Sequence, residues 1–224
     1  MARVLTAGRT SYGYRASLVQ ALAAAAFLAL VPAGAALARH LTIVALGDSL
    51  TAGPGLQPGE TFPAQLQAAL RAKGYDVEVV NAGVSGETAA DGLARYDWSV
   101  PPRADALIVE LGANDMLRGL PPEEAKKALA AILDKAKAAR LPVLLAGMRA
   151  APNLGPDYVR TFDAIYPDLA RDYGAILYPF FLDGVAGDPK LNQPDGLHPT
   201  AEGAGAIVKR ILPSVEALIG HAKP

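Results

Sequence analysis

Continuous apolar runs alternate with amphipathic stretches along most of the chain, and this alternation restricts the fold more than any other feature of the sequence. Uninterrupted apolar runs are typical of strands buried on both faces, whereas apolar residues at helical spacing indicate helices that cover a sheet. The pattern predicts a parallel sheet with helices on both faces. The predicted strands are Leu41–Asp48, Asp76–Gly83, Ala104–Gly112, Pro142–Met148 and Ala175–Phe180.

Helices are predicted between and after these strands. Proline is expected to interrupt the third helix near Pro167 and to kink or end the last one at Pro213, because it cannot donate the helical hydrogen bond. Sites in parallel sheets form beyond the carboxyl ends of the strands, so the loops that follow the strands are the places to look for function. The predicted helices are Phe62–Gly74, Pro121–Arg140, Asp157–Tyr173 and Ala201–Leu212.

The N-terminal segment has the pattern of a secretory signal peptide. Three arginines and no acidic residue accompany the apolar run Leu18–Val31, and the small-residue motif Ala36-Leu37-Ala38 follows. The run is shorter than the ~20 residues that a membrane span needs, so cleavage after Ala38 is favoured over an anchor. We expect residues 39–224 to form one domain without a membrane span, exported to the periplasm or the medium.

Composition excludes several classes of site and partner. The exported chain would carry 18 basic and 22 acidic residues, a net charge of −4, without the basic patches that nucleic-acid binding requires. The chain has no cysteine, which excludes disulfides, cysteine nucleophiles and cysteine metal ligands. Three scattered histidines without an H-E-x-x-H motif argue against a metallohydrolase, and no metal or other cofactor is expected.

Ser49 follows the first predicted strand, in the stretch IVALGDSLTAG. An isolated serine hydroxyl is a weak nucleophile, so a catalytic serine needs a general base within hydrogen-bond reach. The G-x-S-x-G frame of α/β-hydrolases is absent, because Thr51 occupies the position of the second glycine. The G-x-G-x-x-G motif of dinucleotide-binding domains is also absent at this turn.

His198 is the candidate base for Ser49. His40 precedes the first strand and His221 lies near the C-terminus, which leaves His198 in the segment PDGLHPT. Asp195, three residues earlier, can accept a hydrogen bond from the imidazole and stabilise its charged form. Taken alone, this segment is explained equally well as a turn that leads into a helix.

Candidate oxyanion donors follow the first three strands. The Ser49 amide lies at a strand end, Gly83 lets the backbone approach a ligand closely, and the Asn114 side chain can donate to the same oxygen. Singly, Gly83 is explained as a turn glycine and Asn114 as a cap or Asx-turn. Asp48, beside Ser49, is expected to bond loop backbone rather than take part in catalysis.

Four blocks of the sequence resemble those of the SGNH (GDSL) hydrolase family, which is named for a serine, a glycine, an asparagine and a histidine. They occur in the family's order over most of residues 39–224. The segment Met148–Tyr158 resembles the thioesterase I, lysophospholipase L1 and arylesterase branch. The blocks are GDSL with Ser49, NAGVSGET with Gly83, GAND with Asn114, and DGLHP with Asp195 and His198.

The resemblance implies a single flavodoxin-like three-layer α/β/α domain with a five-stranded parallel sheet. It also implies a triad of Ser49, Asp195 and His198, with an oxyanion hole formed by the Ser49 and Gly83 amides and the Asn114 side chain. The implied activity is a serine esterase that forms an acyl-serine intermediate. Its implied substrates are aryl esters and short-to-medium acyl esters, with thioesters and lysophospholipids as further candidates.

Apolar residues on the loops after the strands are candidates for holding the substrate, although each could simply pack its loop. The substrate-binding candidates are Met116, Leu117, Leu154, Leu191 and Pro194.

Two alternatives to a simple esterase stay open: a polysaccharide O-deacetylase of the same family, and a ligand-binding protein without activity. The ligand-binding protein would not be labelled by a serine-directed phosphonate.

Overall fold

The computed structural model describes Met1 and residues 39–222. The predicted signal peptide, residues 1–38, falls outside the described residues apart from Met1, and it stays a prediction. A compact unit begins at Arg39. Within residues 39–222, no helix is both long enough and apolar enough to cross a membrane.

A parallel sheet of five strands forms the centre of this unit, as the apolar runs predict. The strand order is β2-β1-β3-β4-β5, which is the flavodoxin-like order. Strands β1, β3 and β4 are almost entirely buried, whereas β2, at one edge, alternates between buried and exposed positions. The strands are β1 Leu41–Gly47, β2 Val77–Gly83, β3 Ala106–Glu110, β4 Val143–Ala146 and β5 Ile176–Tyr178.

Helices connect the strands and bury their apolar faces in one core with the sheet. Short 3₁₀ turns occur at Pro58–Glu60 and Pro152–Leu154. Sequence periodicity predicts the longer helices but misses four short ones, α1 and α3 to α5, because a helix of one or two turns is too short to show a period. The helices are α1 Ser49–Ala52, α2 Phe62–Ala72, α3 Ala89–Ala94, α4 Tyr96–Ser99, α5 Ala113–Leu117, α6 Pro122–Ala138, α7 Pro156–Asp163, α8 Ile165–Tyr173 and α9 Ala201–His221.

Helix α6 illustrates how the sequence specifies these elements. Pro122 occupies its first position, with Glu123 and Glu124 in the first turn and lysines in the last, which complements the helix dipole. The side chains of Ala125, Leu129 and related positions at helical spacing are buried. The charges at the two ends and the apolar stripe therefore predict the same helix.

The two predictions about proline have different outcomes. The third predicted helix is indeed interrupted, but the break falls at Ala164, and Pro167 lies in the first turn of α8. The prediction that Pro213 kinks or ends the last helix is wrong for its end, since α9 continues to His221. Val215 and Leu218, beyond the proline, are fully buried, and this burial offsets the missing hydrogen bond.

Register places the ends of three strands side by side. Gly47 at the end of β1 pairs with Gly83 of β2 on one side and with Glu110 of β3 on the other. The loops that follow these strands therefore leave the sheet on the same side, at the carboxyl ends of the strands. Their polar residues, far apart in the sequence, are brought together by the parallel arrangement itself.

Candidate active site

Ser49, His198 and Asp195 form a continuous hydrogen-bonded chain. The Oγ of Ser49 lies 2.9 Å from the Nε2 of His198, although the two residues are 149 positions apart. The Nδ1 of His198 lies 2.7 Å from the Oδ2 of Asp195. These three side chains have the order and spacing of a nucleophile, a general base and an orienting carboxylate. The structure thus brings together the three residues that the sequence singled out.

Asp195 is held for this task by its own loop. Its Oδ1 accepts backbone hydrogen bonds from Leu197 at 2.9 Å and from His198 at 3.0 Å, which leaves Oδ2 for the imidazole. The hydrogen bond from the His198 side chain, with the two backbone donors, lowers the pKa of Asp195 to about 2. Asp195 is therefore a carboxylate at any ordinary assay pH, which favours a proton on the Nδ1 of His198.

Gln193 connects the histidine loop to the nucleophile loop. Its backbone amide donates to the His198 carbonyl at 2.7 Å. Its side-chain amide donates to the Pro54 carbonyl at 2.8 Å and to the Pro199 carbonyl at 3.0 Å. The Gln193 side chain thus bridges the loop that carries Ser49 and the loop that carries His198. The sequence analysis did not predict this bridge.

Ser49 is the first residue of helix α1, immediately after the end of β1. Asp48 caps this helix, because its fully buried carboxylate accepts a hydrogen bond from the Leu50 amide at 2.9 Å. This agrees with the prediction that Asp48 bonds to loop backbone. Gly47 is needed at the turn, since a β-carbon there would lie 2.1 Å from the Thr51 hydroxyl. The tight turn exposes the serine hydroxyl at the carboxyl end of the sheet.

Asp48 and Glu110 form a buried acidic pair beneath the nucleophile. Burial raises the pKa of Asp48 to about 6, and hydrogen bonds from Leu50 and Asn114 limit the rise. Glu110 has a pKa well above its usual range because it is fully buried and close to Asp48. Its Oε2 accepts the Thr51 hydroxyl at 2.8 Å. The raised pKa favours the neutral form of Glu110, which supports helix α1 through Thr51 without a second negative charge beside Asp48.

Asn114 lies at the site, but not as a free donor. Its Nδ2 donates to the Oδ2 of Asp48 at 3.0 Å and to the backbone carbonyl of Glu87 at 2.9 Å. Helix α5 has Gly112 at its N-cap, so Asn114 does not serve as the cap that the alternative interpretation suggested. An amide group has two hydrogens, so an incoming oxyanion would share or replace one of these acceptors.

Two glycines of the block NAGVSGET, Gly83 and Gly86, have different surroundings at this site. The amide of Gly83 donates to the Oδ1 of Asn81 at 3.0 Å. A β-carbon at Gly83 would lie 2.3 Å from the Ala52 nitrogen, so this glycine serves close packing of β2 against the nucleophile helix. Gly86, three residues on, has a φ of +85° and lines the same cavity as Ser49 and Asn114. The structure therefore favours Gly86 over the predicted Gly83 as the glycine of this block that faces the cavity.

A cavity of about 460 Å³ opens beside Ser49 and His198. Its size suits a small-molecule site. Most of its lining is apolar, with Arg149 as the permanently charged side chain in its wall, where the guanidinium lies 5.2 Å from the centre of the Phe180 ring. The cavity therefore favours a ligand with apolar groups over a strongly hydrated one.

Two of the five predicted substrate-binding residues, Met116 and Leu117, line this cavity. Leu154 and Leu191 pack against the core instead, and Pro194 is exposed. The loops after β4 and β5 contribute lining residues that were not predicted individually. Their position after strand ends was the available signal, but it did not indicate which side chains face inward. These additional residues include Met148, Arg149, Phe180 and Leu182.

The other two histidines lie elsewhere. His40 pairs with Asp76 through its Nδ1 at 2.9 Å, and His221 is exposed at the end of α9. Within residues 39–222, no group of three or more acidic, histidine or cysteine side chains is arranged to hold a metal ion.

Comparison with known proteins gives a consistent picture. Residues 45–206 match the GDSL-like Lipase/Acylhydrolase family. Esterase TesA of Pseudomonas aeruginosa is 39% identical over 179 residues, covering 80% of this chain and 89% of that protein. Thioesterase 1/protease 1/lysophospholipase L1 of Escherichia coli is 37% identical over 181 residues, covering 80% and 86%.

A solved structure agrees with these relatives. That of AlinE4, an SGNH-hydrolase family esterase, is 49% identical and superposes with a TM-score of 0.68, covering 80% of this chain and 96% of that one. The family match spans the loops that carry Ser49, Gly86, Asn114, Asp195 and His198. The chain therefore belongs to the GDSL-like lipase and acylhydrolase family, the SGNH hydrolases, and is a serine ester hydrolase.

Proposed function

We propose that Ser49, His198 and Asp195 are the catalytic triad of this esterase, and that the amides of Ser49 and Gly86 with the Asn114 side chain form its oxyanion hole. The observation that carries the proposal is the hydrogen-bonded chain from Ser49 to Asp195, which opens onto an apolar cavity. A structural serine would not need an oriented imidazole at 2.9 Å.

In the acylation step, the Oγ of Ser49 attacks the ester carbonyl while the Nε2 of His198 takes the hydroxyl proton. Asp195 accepts the Nδ1 hydrogen of His198 and stabilises the imidazolium that forms. The carbonyl oxygen becomes an oxyanion, which the preorganised donors hold. His198 then returns the proton to the departing alcohol, and the acyl group stays on Ser49.

Water completes the cycle from the same position. His198 takes a proton from the water molecule, the resulting hydroxide attacks the acyl-serine carbonyl, and the same donors hold the second oxyanion. Collapse of this intermediate breaks the bond to Oγ, which recovers its proton from His198. The products are the carboxylic acid and free enzyme.

The substrates we propose are aryl esters and short-to-medium acyl esters, with thioesters and lysophospholipids as further candidates. The names of the relatives, esterase and thioesterase 1/protease 1/lysophospholipase L1, support this range. If residues 1–38 direct export, as their pattern predicts, esters outside the cytoplasm are the accessible ones. N-terminal sequencing of exported protein tests this, because cleavage leaves Arg39 first.

Hydrolysis of p-nitrophenyl esters from acetate to palmitate tests the function directly. We expect residues 39–224 to hydrolyse several neighbouring chain lengths, because an apolar pocket discriminates by only ~1–3 kcal/mol per methylene. The measurement is kcat/KM for each ester, monitored by nitrophenolate release. Absence of turnover at every chain length, in protein that is folded by circular dichroism, would contradict the simple esterase.

Replacing Asn114 with alanine is expected to lower kcat by about 10²–10³-fold, with a smaller effect on KM, because the lost donor acts mainly on the oxyanion. Steady-state kinetics on p-nitrophenyl butyrate give both constants. Asn153→Ala is a suitable control, since Asn153 is exposed on the 3₁₀ turn Pro152–Leu154. An unchanged kcat in Asn114→Ala would reduce Asn114 to a partner of Asp48.

A further inference from the structure

Arg118 contacts the oxyanion loop from outside the catalytic cavity. It is an exposed residue at the C-cap of α5, the helix that carries Asn114. Its Nη2 donates to the backbone carbonyl of Gly86 at 2.6 Å. This hydrogen bond comes from a charged donor, and such bonds are shorter and about twice as strong as neutral ones.

The Gly86 segment needs such an anchor. With a φ of +85° and no β-carbon, Gly86 can adopt many backbone conformations, and the neighbouring residues Val84 and Ser85 are exposed. Upstream, the Val84 amide donates to the Gly47 carbonyl at 3.0 Å. Downstream, Arg95 holds the Glu87 side chain through an Nε–Oε2 contact of 2.5 Å. Arg118 holds the carbonyl between these two anchors.

Arg118 also joins the two parts of the proposed oxyanion hole. Its backbone amide donates to the Asn114 carbonyl at 3.1 Å, while its guanidinium holds the Gly86 carbonyl. Asn114 also holds α5 to this loop through the Glu87 carbonyl at 2.9 Å, and Arg118 adds the contact to the carbonyl of Gly86 itself. Hydrogen bonds from Thr88, and secondarily the positive charge of Arg118, lower the pKa of Asp91.

We propose that Arg118 is a positioning residue of the oxyanion hole: it holds the Gly86 peptide so that the Gly86 amide stays directed at the reacting carbonyl oxygen. This inference rests on the proposed function, in which the Gly86 amide is an oxyanion donor. Arg118 itself does not line the cavity described above, so it acts through Gly86 and not on the substrate. Its contribution should therefore appear in kcat and not in substrate binding.

Arg118→Gln is the principal test, assayed on p-nitrophenyl butyrate with residues 39–224. We expect kcat to fall about tenfold, because loosening a donor costs less than removing it, while KM changes less than about twofold. Arg118→Lys, which keeps a charged donor without the planar fork, should give an intermediate kcat. Arg171→Gln is the matched control, since Arg171 is an exposed arginine of α8 that pairs with Asp168 and Asp172. It should behave as the wild type.

Two further readouts separate positioning from a structural role. Inactivation by an ethyl p-nitrophenyl phosphonate should slow in parallel with kcat, because the phosphonyl oxygen occupies the position of the oxyanion. Added guanidinium ion should partly restore the kcat of Arg118→Ala, which a loss of folding would not allow. The thermal unfolding midpoint of each variant is measured alongside.

The outcomes are distinct. A wild-type kcat in Arg118→Gln, a rise in KM with constant kcat, or a loss of kcat that merely follows the unfolding midpoint, without guanidinium rescue, would each overturn the role of Arg118. If the wild type shows no turnover that depends on Ser49, the proposed function fails instead. Serine-dependent turnover with an unaffected Arg118→Gln would remove this inference alone.

Discussion

Ser49→Ala is expected to lower kcat by roughly 10⁶-fold on every ester that the enzyme hydrolyses. The variant lacks the nucleophile, and the remaining triad residues contribute little without it because the three act as a unit. The substitution removes one oxygen from an otherwise unchanged helix α1. Asp48 still caps that helix through the Leu50 amide, so the fold should persist. Turnover of p-nitrophenyl butyrate and labelling by a serine-directed phosphonate are the two measurements.

Ser214→Ala serves as the control for this variant. Ser214 is a half-buried serine of helix α9 that does not line the catalytic cavity, so its loss should leave kcat close to the wild-type value. The phosphonate should label wild type and Ser214→Ala, with the adduct found on Ser49 by peptide mass analysis. More than about one per cent of wild-type turnover in Ser49→Ala would contradict an acyl-serine mechanism.

The second large effect is expected for Asp195→Asn, for which kcat should fall by about 10⁴-fold. An amide at this position donates as readily as it accepts, so it no longer selects the His198 tautomer with a hydrogen on Nδ1. It also removes the negative charge that stabilises the imidazolium. Steady-state kinetics should show the loss in kcat, with KM little changed.

The pH dependence of this interaction has a definite sign. The pKa of Asp195 is lowered to about 2, below its ordinary value of 3.8, so the folded enzyme binds fewer protons here than the unfolded chain between these values. The interaction is therefore present above about pH 4 and is lost as the pH falls through about 2. Raising the pH within the neutral range should not rescue Asp195→Asn.

Asp188→Asn is the matched control for Asp195→Asn. Asp188 is an exposed carboxylate that accepts the Lys190 amide at 2.9 Å, much as Asp195 accepts the Leu197 amide. Retention of activity in Asp188→Asn with loss in Asp195→Asn would assign the effect to the contact with His198. Equal losses in both variants would instead indicate that the loop itself had been disturbed.

Much of the fold could be predicted from the sequence, because each strand is an uninterrupted apolar run and each long helix has its own periodicity. The boundaries of β1 and β2 were predicted to within one residue. The last helix was not, since nothing local to Pro213 shows that Val215 and Leu218 will be buried on the core. Burial of these two side chains, on a helix that packs against sequence-distant elements, outweighed the local preference of proline.

The catalytic candidates could be selected by elimination and by their position after strand ends, but their arrangement could not. The choice between two glycines illustrates the difference. Gly83 and Gly86 belong to the same block, and only the hydrogen bond from the Gly83 amide to Asn81 and the cavity wall at Gly86 distinguish them. Sequence spacing reports where a backbone turns, but not which of its amides remains free.

The sequence by itself determined the parallel α/β architecture and the family, and it selected Ser49, His198 and Asp195 as the catalytic candidates, because these depend on local patterns and on a small choice of residue types. Only the tertiary structure decided the acceptors of Asn114, the raised pKa of Asp48, the lining of the cavity and the contact from Arg118 to Gly86. All of these depend on packing between segments that are distant in the chain. Their energies arise from burial and from hydrogen bonds that form when the domain closes.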